Sequence, residues 1–144
     1  MKRVLATIVA VMLLRGASSV AAELSGRVDR VVDGDTFWLC DQTACHKIRL
    51  CGMNAPEQGE QDYQRAKQAL TDMLKGKTLR CVQVGGGTPC DGRSKPVNRD
   101  RIVAQCFADD VDIGAALVAT GIACDWVKFS GAAYSQGGSG RVCP

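Results

Sequence analysis

Eight cysteines constrain this chain more than any other feature: Cys40, Cys45, Cys51, Cys81, Cys90, Cys106, Cys124 and Cys143. They are even in number and spread through a short chain, the pattern of a disulfide framework in an exported domain. A metal cluster is the alternative, and it is weak. There is no CxxC pair, and the single histidine, His46, reads as a surface strand residue. Eight cysteines admit too many pairings for spacing alone to choose among them.

The N-terminus agrees with export. Lys2 and Arg3 precede an apolar run, Val4 to Leu14, that is too short to span a bilayer. RGASSVAA follows, with small residues where a signal peptidase cuts, after Ala21 or Ala22. Residues 1–22 therefore read as a secretory signal peptide, and the product as periplasmic or secreted. The chain carries 18 basic and 15 acidic residues. Lys2, Arg3 and Arg15 leave with the leader, which brings the remainder near neutrality. Global charge is then uninformative about nucleic-acid binding, and any anion recognition must be local.

The roughly 122 residues that follow suit one domain with one core. VVDGDTFWL, Val31 to Leu39, reads as strand, turn, strand, with Asp33-Gly34 at the bend. Asp35 starts the outgoing strand, so the stretch is either a plain hairpin turn or the acidic end of a metal site. The first strand runs from Glu23 to Val32 and the second from Asp35 to Cys40. DQTA makes a turn before HKIRLC, the third strand, and Cys40 and Cys45 flank that turn and could bridge it. In QDYQRAKQALTDMLKG, Ala66, Leu70, Met73 and Leu74 fall at helical spacing, with Gly76 as the terminating glycine. KTLRCVQV and RIVAQCF are the fourth and fifth strands. DIGAALVATG is a second helix, with Asp112 as N-cap and Gly121 at its end. The Gly/Ser-rich tail, 131–144, is expected to be irregular, with Cys143 as a tether.

Five short strands with a helix after the third suggest an α+β fold built on a five-stranded OB-type barrel with two helices, over 23–130. The long loop GGGTPCDGRSKPVNRD joins strands four and five. Its GTPCDGRS nearly matches a P-loop, but Arg93 replaces the lysine, Pro96 blocks the helix, and no βαβ unit surrounds it. The loop holds Arg93, Lys95, Arg99 and Arg101, a basic cluster suited to a polyanion.

Four patches carry chemistry: DGDT (33–36), IRL (48–50), NAPE (54–57) and DRIVA (100–104). Oxygen donors without histidine or cysteine suit a hard cation such as calcium. EF-hand spacing is absent. Paired arginines suit a phosphate, and a carboxylate beside them could deprotonate water.

DGDT, then RL-x-G-x-x-APE, then R-x-VA after a loop, resembles the thermonuclease (staphylococcal-nuclease-like) family, from about Val28 to Phe129. The resemblance implies an OB barrel and calcium-dependent hydrolysis of DNA or RNA phosphodiester bonds, and the chain is expected to act as a monomer. Carried over by position, Asp35 would be a calcium ligand with Asp33 an acid beside it. Asn54 stands where the family has a second aspartate, and Ala55 would offer its carbonyl. Glu57 matches the general base. Arg49 and Arg101 match the arginines that hold the phosphate.

Three departures stand out. Asn54 removes a negative charge, worth on the order of a few kcal/mol at an effective dielectric of about 20, so metal binding should weaken. Arg99-Asp100 replaces the usual Tyr-Gly, and Asp100 could pair with either neighbouring arginine. The family's long C-terminal helix has no counterpart, and Trp126 and Phe129 are candidates for base stacking or for packing. On this fold Cys81–Cys106 would be a cross-strand bridge, Cys40–Cys45 the next, and Cys51–Cys124 and Cys90–Cys143 the remaining pairs. The rival readings are a catalytically weak OB-type module that binds nucleic acid or another polyanion, and a structural or protein-interaction domain of the cell envelope.

Overall fold

The structure, a computed structural model, describes residues 20–138 and 140–144. Most of the expected leader lies outside the described residues. The elements in order are β1 (Glu23–Val31), β2 (Thr36–Cys40), β3 (Cys45–Leu50), β4 (Met53–Asn54), α1 (Tyr63–Leu74), β5 (Thr78–Gln83), β6 (Val97–Asn98), β7 (Arg101–Ala108), β8 (Val111–Asp112), α2 (Ile113–Ala119), β9 (Cys124–Asp125) and α3 (Val127–Ser130).

β1 pairs antiparallel with β2 and β5, β2 with β3, and β5 with β7. The parallel pairing of β3 with β7, Ile48 opposite Ile102, closes the ring. The result is the expected α+β fold on a five-stranded OB-type barrel, which leaves none of the five long strands as a bare edge. The period-2 pattern explains which face is inside. Phe37, Leu39, Ile48, Leu50, Leu79, Cys81, Ala104 and Cys106 are buried in the core, and the residues between them face outward. Ala66, Leu70 and Leu74 of α1, and Ile113, Leu117 and Val118 of α2, pack on the same core. Each fully buried leucine or isoleucine contributes about 1.5–3 kcal/mol.

The caps follow the sequence. Gly76 takes the left-handed conformation after α1, with φ of 71°. The Asp112 carboxylate accepts from the Ala115 amide at 3.2 Å and caps α2. Asp41 organises the turn between β2 and β3, accepting from the amides of Thr43 and Ala44. These bonds to its charged form hold its pKa down at about 2.

Several expectations need correction. A third, short helix, α3, adds to the two expected, and four two-residue strands add to the five. The strands at the DGDT turn are shorter than expected, since Val32 to Asp35 form a four-residue connection. The Val32 and Asp33 amides both donate to the Thr36 carbonyl, at 2.8 and 3.2 Å. Gly34 is not in the left-handed region a primed hairpin would demand. It is needed for space, because a Cβ there would lie 2.7 Å from the Ala55 methyl and 2.8 Å from that of Ala66. The glycine lets the turn pack against both the NAPE segment and α1.

All eight cysteines are paired. Cys81–Cys106 joins directly opposed residues of β5 and β7, and Cys40–Cys45 closes the β2–β3 hairpin, as expected. The other two pairings are corrected: Cys51 bonds Cys90, and Cys124 bonds Cys143. The long loop explains the first. Asp91 gathers it by accepting from the Gly85 and Gly87 amides and the Thr88 hydroxyl. Cys90 then reaches Cys51 in a small buried cluster with Val84 and Val103. The second follows from the tail, which runs beside β9. There the Cys143 amide donates to the Asp125 carbonyl at 2.9 Å. Four disulfides of this kind persist only under oxidising conditions, in keeping with export. Among the described residues no helix is long and apolar enough to cross a membrane.

Candidate active site

The turn between β1 and β2 delivers Asp35 into the protein, where it is 3 % exposed. Its Oδ1 accepts from the Thr36 hydroxyl at 2.9 Å, and its Oδ2 from the Ala55 amide at 3.4 Å. Arg49, outward-facing on β3, places Nη2 at 3.0 Å from Asp35 Oδ2. The same Nη2 donates to Asn54 Oδ1 at 3.4 Å, while Nη1 donates to the Met53 carbonyl at 3.1 Å and to the Leu50 carbonyl. Asp33 turns its carboxylate back to accept from the Asp35 amide at 3.1 Å. Burial raises the Asp35 pKa to about 6, against the opposing pull of Arg49 and with a further push from Asp33.

Five of the expected residues therefore converge: Asp33, Asp35, Arg49, Asn54 and Ala55. The side chains of Asp33, Asp35 and Asn54 offer oxygens, which suits a hard cation in kind. The charge is thin, however, and among the described residues no three His, Cys, Asp or Glu side chains gather as a metal cluster. The cation seated between Asp35 and Asn54 is the Arg49 guanidinium.

Arg49 also belongs to a second assembly. It lines an open cavity of about 510 Å³ together with Arg93, Lys95, Arg99, Trp126 and Phe129. The end of β3, the basic loop with β6, and α3 with the tryptophan before it thus meet around one groove, beside the acid. Trp126 is 40 % exposed, and its ring meets Phe129 edge-on at 4.6 Å. Gly52 forms part of the floor with φ of 72°, and a Cβ there would lie 2.9 Å from Ser130 and 3.0 Å from the Cys90 sulfur.

Two expected residues belong neither to the Asp35 cluster nor to that lining. Glu57 is exposed on the loop just after Ala55, its amide donating to the Glu60 carboxylate at 2.7 Å. Arg101 begins β7, two residues before Val103, which is the register partner of Arg49. Asp100 pairs with neither neighbouring arginine. It binds Lys47 Nζ of β3 at 3.0 Å, which lowers its pKa and leaves Arg99 and Arg101 unpaired by it.

Sequence reasoning missed what holds the groove. Asp125 is wholly buried and accepts from the Ser130 hydroxyl and the Tyr134 amide. The Trp126 amide donates to the Gly52 carbonyl at 2.9 Å. An acid inside CDWVKF, next to a tryptophan, was the signal that could have pointed to it.

The site is thus an OB-type barrel's buried acid with an arginine beside it, adjoining a groove lined by basic and aromatic side chains. No family model matches the sequence. The chain is 35% identical over 126 residues to an uncharacterized endonuclease of Escherichia coli, covering 87% of this chain and 71% of that protein. It is 44% identical over 64 residues to an uncharacterized endonuclease of Escherichia coli O157:H7, covering 42% and 39%. It is 38% identical over 65 residues to Protein ParB of Escherichia coli, covering 45% and 37%. The chain belongs to the family of the first of these endonucleases.

Proposed function

We propose that this protein is an exported, thermonuclease-like phosphodiesterase that hydrolyses DNA or RNA with calcium. The observation that carries the reading is Arg49, which touches the Asp35–Asn54 oxygens on one side and lines the basic groove on the other. Asp35, Asn54 and the Ala55 carbonyl would hold the ion, with Asp33 alongside. Bound calcium would supply positive charge against the phosphate. Arg49 and Arg101 would clamp the phosphate oxygens, where a guanidinium fork stabilises the charge that grows in the transition state. Glu57, exposed and free to approach the substrate, would take the proton from the attacking water. Arg93, Lys95 and Arg99 would hold flanking phosphates, with Trp126 and Phe129 available to bases.

The second reading, a polyanion-binding module without turnover, draws on the thin charge of the oxygen cluster. One assay separates the two. Oxidised protein is incubated with single- and double-stranded DNA and RNA, with calcium or with chelator. Calcium-dependent cleavage is expected, and Glu57→Gln should slow it about 10²-fold or more. Binding without cleavage, or a Glu57→Gln rate equal to wild type, would overturn the mechanism.

Asn54→Asp restores a charge beside the ion, and calcium affinity is expected to rise at least tenfold by calorimetric titration. Unchanged affinity would mean that this side chain does not face the metal.

A further inference from the structure

We propose a second nucleic-acid contact, outside the cavity, on the outer face of β1, β2 and β3. Its members are Arg30, Trp38 and Lys47, and its ligand is the single strand that continues from the cleavage groove. The inference rests on the nuclease reading for its substrate.

Phe37 and Leu39 are buried in the core, so Trp38 between them stands on the outside of the barrel. Arg30, Trp38 and Lys47 are direct register partners across three strands. The Arg30 guanidinium lies 4.9 Å from the centre of the Trp38 ring, and Lys47 Nζ lies 6.0 Å from it. The row is therefore one half-buried aromatic between two cations. Arg27 is exposed nearby on β1. Two exposed acids also face the row, Asp29 at 3.5 Å from Arg30 and Asp100 at 3.0 Å from Lys47.

A cross-strand cation and aromatic pair also stabilises a sheet on its own account. The chain contains such a pair elsewhere, with Arg80 over Phe107 at 4.5 Å on β5 and β7. What distinguishes the Trp38 row is its continuity with the site. Lys47 and Arg49 lie two residues apart on the same face of β3, so the row sits one step along the sheet from the Asp35–Arg49 pair. Lys47 also reaches Asp100 in the turn that carries Arg99, which lines the cavity. A strand leaving the groove past Arg49 meets Lys47 and then Trp38. Cations that track a backbone, with an aromatic for a base, are what an OB-type face needs to hold single strands.

The test uses the oxidised protein with chelator present, so that nothing is cut. Single strands of about four and about twelve nucleotides are titrated against wild type, Trp38→Ala, Trp38→Phe and Lys47→Gln. Phe107→Ala serves as the sheet-only comparison. The longer strand should bind wild type more tightly than the shorter one. Trp38→Ala and Lys47→Gln should each remove about tenfold of that advantage, with Trp38→Phe retaining most of it. Lys47→Gln should also shallow the salt dependence of long-strand binding by about one phosphate contact. Phe107→Ala should leave the advantage intact. Should Trp38→Ala fail to fold, Trp38→Phe and Lys47→Gln still decide the matter. An advantage unchanged in Lys47→Gln, or lost equally in Phe107→Ala, overturns the contact. Wild type that cleaves but shows no length advantage defeats this inference alone. A length advantage without any cleavage defeats the nuclease reading alone. Absence of both binding and cleavage removes the two together.

Discussion

Arg49→Ala is expected to slow phosphodiester hydrolysis about 10³-fold or more, since an arginine on the transferring phosphate carries effects of that size. Arg49→Lys should recover little, because a lysine offers one point charge in place of a two-pronged fork. The same substitution should move calcium affinity the other way. The guanidinium contacts both Asp35 Oδ2 and Asn54 Oδ1, so it competes for the oxygens the ion would use. Removing it is expected to tighten calcium binding while turnover collapses. A purely structural arginine would lose both together, and that outcome would refute a phosphate-clamping role for Arg49.

Stability against pH is an independent readout of the same pair. Asp35 has its folded pKa raised from 3.8 to about 6. An acid with a raised folded pKa destabilises the fold once it ionises. Its burden is absent below the unfolded value and grows as pH rises through about 6. Metal-free wild type should therefore lose about 1–3 kcal/mol from this group between pH 4 and pH 7. Without Arg49 the carboxylate loses its opposing charge, so the loss should be larger in Arg49→Ala. Denaturant titrations at several pH values measure both, and an identical pH slope in the two proteins would count against the pairing.

The barrel was legible because its rules are local. Alternating runs such as TFWLC and HKIRL state which side chains go inside, and Cys81 and Cys106 sit on strands that pair antiparallel. Asp112 and Gly121 mark the bounds of α2 by side-chain chemistry alone. The candidate cluster was legible only through the family resemblance, which carried Asp35, Arg49 and Asn54 over by motif; the pairing of β2 with β3 is what brings the first two side by side. What failed depended on where long connections travel. Nothing in Cys90 or Cys143 says which partner its segment will reach. That is decided by the Asp91 carboxylate gathering its loop and by the tail pairing beside Asp125. Asp100 misled because sequence neighbours were the only partners in view, whereas β3 brings Lys47 to it across the sheet. Gly34 misled in another way. It carries the DG signal of a tight hairpin, yet it is there to clear Ala55 and Ala66.

Removing the Cys51–Cys90 bridge is expected to disable the groove while leaving the barrel folded. The bridge ties the turn after β3 to the loop that carries Arg93 and Lys95, across 39 residues of sequence. Both sulfurs are buried in the small cluster with Val84 and Val103, apart from the main core. The barrel keeps Cys81–Cys106 and its own apolar interior, so the double substitution Cys51→Ala, Cys90→Ala should cost about 2–4 kcal/mol without unfolding it. The double form is the cleaner variant, since a single replacement would leave a reactive thiol. Freed from the floor, the basic loop must be ordered again at each encounter, and that ordering subtracts from binding. Affinity for a single strand should fall tenfold or more. Cys40→Ala, Cys45→Ala provides the comparison. That bridge spans a separation of 5 residues in a hairpin already held by Asp41. Its removal should cost less stability, because the loop it closes is short. It should leave strand affinity within about twofold of wild type, because the groove is built from other segments. Thermal melts and oligonucleotide titrations of the two variants read both quantities. If the Cys51/Cys90 variant binds as tightly as wild type, Arg93 and Lys95 are not substrate contacts, and the groove shrinks to Arg49, Arg99 and the rings of α3.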